Sequence, residues 1–111
     1  MVKRNNAEQA FSVPADVYDA AEGALEAYRH AYDQWLSTDP YETPACDRAQ
    51  AVRVVAQRCR ELRTAYHSLA AALNRGTAFA AALQHATTQL HTEEERATAL
   101  ADSLSRVGGE S

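Results

Sequence analysis

Apolar residues recur at alternating intervals of three and four through three separate stretches of this chain, and no other feature limits its fold as tightly. The first stretch carries Tyr18, Ala21, Leu25, Tyr28, Tyr32 and Trp35. The second carries Val52, Val55, Cys59, Leu62, Tyr66, Leu69 and Leu73. The third carries Phe79, Leu83, Ala86, Leu90, Glu93, Ala97, Leu100, Leu104 and Val107, with Glu93 the one interruption. A 3,4 alternation puts a stripe along one face of an α-helix and scatters the same residues over both faces of a strand. Only 4 Gly and 3 Pro occur in 111 residues, too few punctuators for a turn-rich sheet protein. The pattern predicts an all-α fold, an antiparallel three-helix bundle made of a long helical hairpin and a shorter first helix with coiled-coil-like seams.

The breaks between stretches set the boundaries. Pro14 fits the first turn of a helix over about 14–37, with Asp16 and Asp19 at its positive end. The segment STDPYETP (37–44) interrupts, because Pro40 and Pro44 push the residues before them out of the helical region. Thr43 is the expected N-cap of a second helix over about 44–74. In NRGT (74–77), Gly76 suits a left-handed stop and Thr77 a new cap. Thr92 followed by Glu95 resembles a capping box, which would break the third helix near His91; the continuous 3,4 register favours one unbroken helix. Residues 1–11 read as a flexible arm, 12–107 as a single domain and 108–111 as a tail.

With Val52 at heptad position a, Ala49, Ala51, Ala56, Ala65, Ala70 and Ala72 fall beside the seam of the second helix. That widened apolar face calls for two neighbours rather than one. The arginines of RVVAQRCRELR (53–63) fall around this seam, Arg53 and Arg60 on the outer face, Arg58 and Arg63 on the shoulders. Their stems are expected to cover the seam's edges while their heads stay wet. The acidic residues Asp16, Asp19, Glu22, Glu26 and Asp33 make the first helix the expected electrostatic partner of the second.

Charge and motifs narrow the function. A net charge of -4 argues against a dedicated nucleic-acid binder, leaving Arg53 and Arg60 as the only candidate basic face. His30, His67, His85 and His91 include no pair at the i, i+3 or i, i+4 spacing of a helical metal site. Glu26 and His30 read instead as a helix-stabilising pair. Cys46 and Cys59 lie about 20 Å apart along one helix, too far for a disulfide. Free thiols fit a reducing, cytoplasmic setting. Cys59 on the seam is expected to be buried and inert, and Cys46 near a helix start to be accessible. There is no phosphate loop, nucleophile elbow, leader-like segment or membrane-spanning apolar run, and no cofactor is implied. The aromatic group Tyr18, Tyr28, Tyr32 and Trp35 reads as core.

What remains is a small non-enzymatic protein that works by contact with another protein or a second copy of itself, as regulator, inhibitor or adaptor. The alternative is a nucleic-acid-associated regulator using the arginines of the second helix. Because the first helix is the shortest, the hairpin tip is the expected interface: Leu69, Leu73, Phe79 and Leu83 would stay uncovered there, unless Phe11 and Val13 of the arm fold back over them. Asp19, Glu22, Glu26 and Asp33 form a second possible docking face, for a basic partner.

Overall fold

The computed structural model describes residues 14–73 and 76–109. They form three helices, α1 (Ala15–Leu36), α2 (Ala45–Ala72) and α3 (Ala78–Gly109), and the fold is an antiparallel three-helix bundle. The arm at 1–11, Ser12, Phe11 and Val13 lie outside the described residues, as do 110–111. α3 runs to Gly109, so it takes in the first two residues of the expected tail.

α2 is the middle of the molecule. α1 and α3 both pack against it, yet no Cα of α1 comes within 8 Å of any in α3. The seam of α2 is where the periodicity puts it: Val52, Val55, Cys59, Leu62, Leu69 and Leu73 are buried, together with Ala49 and Ala56. The two outer helices meet α2 differently. The buried residues of α1 are Ala21 and Ala31. On α3 they are Ala80, Leu83, Thr87, Leu90, Ala97 and Ala101. Small side chains line these contacts because they let helix axes approach closely.

The helix ends depart from expectation in two places. Pro44, not Thr43, occupies the N-cap position of α2, without a side-chain cap bond. The Thr43 hydroxyl instead accepts the Asp39 N–H at 3.2 Å, bracing a turn in which Asp39 Oδ1 also accepts the Tyr41 N–H at 2.8 Å. Gly76 is not left-handed; no described glycine has a positive φ. α2 stops because Leu73 turns extended, with φ -88° and ψ 157°, where burying its side chain outweighs another helical turn. Thr77 does cap α3, its Oγ1 accepting the Ala80 N–H at 3.1 Å. No break occurs at His91: the Thr92 hydroxyl donates back to the Thr88 carbonyl at 3.3 Å rather than capping a new helix.

Candidate functional site

The hairpin tip is covered by α1. Val17 and Ala21 lie in one cluster with Leu69, Leu73, Ala80 and Leu83. Leu69, Leu73 and Leu83 are therefore buried, and of the four residues expected at an open patch only Phe79 offers surface, at 49% exposure. Since α1 reaches the tip, its shorter length is taken up at the opposite end by the connection 37–44. There Arg48 lies over the Trp35 ring, 5.1 Å from its centroid, tying the end of α1 to the start of α2.

The open surface lies between the outer helices. Because α1 and α3 do not close on each other, a groove runs along α2 between them. Its wide part holds about 660 Å³ and is lined by Leu25, Tyr28, Tyr32, Leu62, Tyr66, Ala86, Leu90, Glu93 and Arg96, among others. Toward the tip it narrows to about 230 Å³ between Tyr18, Glu22, Phe79 and Leu83. Leu25 and Tyr66 line both parts, so the two are one trough. On α1 the buried residues are Ala21 and Ala31, while Tyr18, Leu25, Tyr28 and Tyr32 line the trough; on α3 Leu83 and Leu90 are buried and also reach it. Tyr18 and Tyr32, expected in the core, are 48% and 39% exposed; Tyr28 and Trp35 pack partly buried against the core. Tyr28 and Tyr32 pack at a ring-centroid distance of 6.0 Å. The Tyr28 hydroxyl is pushed up to about 12, first by burial and then by Cys59, Glu93 and Tyr32. It is a neutral wall of the trough at any physiological pH.

The arginines of α2 find their partners on α3 rather than on acidic α1, which corrects the expected pairing. Glu94, at 14% side-chain exposure, receives Arg60 at 3.0 Å and Arg63 at 3.1 Å. Arg63 also reaches His91, and Arg53 donates to Ser105. Arg58 pairs within its own helix with Glu61 at 2.7 Å. Glu94 escaped the sequence reading because it stands one position beyond Glu93, off the apolar seam assigned to the third helix. The signal that would have found it is the arginine pair four to five turns across the hairpin.

Asp19, Glu22, Glu26 and Asp33 are exposed, and none of them forms an ion pair with another described residue. The Glu26–His30 pair does not form either. Cys46 is exposed and Cys59 buried, both as free thiols. No group of three His, Cys, Asp or Glu gathers at metal-binding distance among the described residues. None of the described helices is long and apolar enough to cross a membrane. No family model, curated protein or solved structure matches the chain.

Proposed function

We propose that this chain is a small, non-catalytic protein-interaction module, a regulator, inhibitor or adaptor, and that the trough between α1 and α3 is the surface through which it acts. One observation carries the reading. Tyr18, Leu25 and Tyr32 from α1 and Phe79, Ala86 and Leu90 from α3 face or rim a trough that the bundle leaves open. Burying these residues would gain roughly 25 cal/mol per Å² of apolar surface, and helical partners are commonly seated in such grooves. The nucleic-acid alternative gains less support, because the heads of Arg60 and Arg53 are engaged by Glu94 and Ser105. The free thiols of Cys46 and Cys59 suit a cytoplasmic setting.

The test is a photo-cross-linking residue placed at Gln89, which lines the trough, or at Glu26 on the exposed acidic face, each expressed in the native host. Discrete protein adducts are expected from position 89 and not from 26. Adducts from 26 alone would move the interface to the acidic face, and none from either would contradict the reading.

A further inference from the structure

We propose that the wide part of the trough is a socket for an organic cation, the arginine or lysine side chain of a partner protein. This rests on the reading of the trough as an interface and adds the chemistry of what enters it. Three of the five tyrosines, Tyr28, Tyr32 and Tyr66, line this one hollow of about 660 Å³ together with the Glu93 carboxylate. The Tyr28 and Tyr32 ring centroids stand 6.0 Å apart, with the planes tilted by 39°. The faces of such rings carry negative charge density and attract an ammonium or guanidinium within about 6 Å. Among the described residues the one cation over an aromatic ring is Arg48, on Trp35, so the three tyrosines hold none of their own.

Glu93 sets the sign of the ligand. Its charge acts across the hollow, since burial first, and then Cys59 and Glu93, push up the Tyr28 hydroxyl. Arg96, the one basic residue lining the hollow, is 74% exposed and comes no closer to Glu93 than 3.7 Å. A carboxylate offers about four acceptor positions, so Glu93 has room for a second cation. A purely apolar partner would strip water from Glu93 and return nothing, which is costly; a cationic side chain restores the lost partners. The helix that forms one wall adds a wider field. α1 carries Asp16, Asp19, Glu22, Glu26 and Asp33 against Arg29, and such a field draws cations in over roughly 8–10 Å at moderate salt.

The shape points to a cation carried on a protein rather than a free molecule. Leu25 and Tyr66 join the wide hollow to the narrow one, where Tyr18 and Phe79 stand about half exposed. A small cation in the wide hollow would leave those two rings in water. A partner that lays apolar surface on Tyr18 and Phe79, and its cation among Tyr28, Tyr32 and Tyr66, covers both parts in one contact.

NMR of the full chain with labelled tyrosine rings tests the chemistry. Tetramethylammonium and N-methylguanidinium are titrated at constant ionic strength, with sodium as the counter-titrant and tert-butanol as a neutral molecule of similar size. Saturable shifts of the Tyr28, Tyr32 and Tyr66 rings are expected with both organic cations and not with tert-butanol. Glu93→Gln and Tyr32→Leu, both exposed positions, should each weaken the cations about threefold or more, with circular dichroism confirming that the variants stay helical. Tyr41→Leu should change nothing. The source of the cation is tested in the native host, where Glu93→Gln in the chain carrying the cross-linker at position 89 should lower the adduct yield several-fold. Rings that answer tert-butanol as strongly as the cations, or a Glu93→Gln chain that binds the cations unchanged, overturn the socket; adducts that persist at position 89 then leave the trough as an interface. Cation binding with adducts indifferent to Glu93→Gln overturns the partner side chain as the source. Cation binding without any adducts from position 89 overturns both that source and the interface, and absence of both signals overturns the socket and the interface together.

Discussion

Leu62→Ala should destabilise the protein by about 3 kcal/mol, within the roughly 2–5 kcal/mol range of such truncations. Leu62 is 2% exposed, among the largest fully buried side chains, and lies where the core of α2 meets the floor of the trough. Its removal deletes transfer free energy and leaves a cavity that long helices, held on two sides, cannot readily collapse. A domain of this size is stable by about 5–15 kcal/mol, so the melting temperature should fall by some 12 °C or more. Replacing Arg53 and Arg60 together by Ala should cost no more than about 1 kcal/mol, because their exposed heads make solvent-screened contacts. Urea and thermal melts of the two variants check the pair. A double arginine variant that melts below Leu62→Ala would mean that the hairpin is held by its charged edge and not by its seam.

Alkaline pH should weaken the fold through Cys59, and Cys59→Ala should lose that dependence. The thiol is pushed up from 9.0 to about 11, first by burial and then by Glu93 and Glu94, with Arg63 opposing. In the unfolded chain it ionises near pH 9. Below that pH both states hold the proton and the contribution is complete. Above it the unfolded state sheds a proton that the folded state retains, so stability falls by at most about 1.4 kcal/mol per pH unit until the folded thiol also ionises near pH 11. The whole loss is on the order of 2 kcal/mol. Tyr28 titrates higher still and is present in both proteins. Urea unfolding at steps between pH 8 and 11 should show Cys59→Ala less stable at the start and the gap closing as pH rises. A constant gap would mean that Cys59 is not shielded from solvent as placed.

The central helix was readable because it touches neighbours on two sides. Its large apolar residues, Val52 to Leu73 at 3,4 spacing, are the ones buried, with Tyr66 partly so. The outer helices were harder for a physical reason. Their contact with α2 favours small residues, so beside Leu83, Leu90 and Ala97 of the expected seam the packed face of α3 takes in Ala80, Thr87, Glu94 and Ala101, each one position beyond the Phe79, Ala86, Glu93 and Leu100 of that seam. Periodicity locates an apolar face without saying which neighbour meets it. The same shift separates the buried Ala31 from the exposed Tyr32. The residues read as core on α1 and α3 thus turned out to include those that line the trough. Length alone could not place the tip either, since it depends on which end of α1 is in register with α2, and that is decided by Val17 and Ala21 packing near Leu73.

Hydroxyl-radical footprinting tests the claim that the trough is an occupied surface most directly, because it needs no knowledge of the occupant. Oxidation is compared between the dilute purified protein and the protein in its native cells. Tyr18, Tyr32 and Phe79 should be oxidised in the dilute protein and protected in the cell, while Tyr41, 96% exposed on the connection between α1 and α2, should be oxidised alike in both. Equal oxidation of the trough residues in the two settings, with Tyr41 unchanged, would show that nothing binds there.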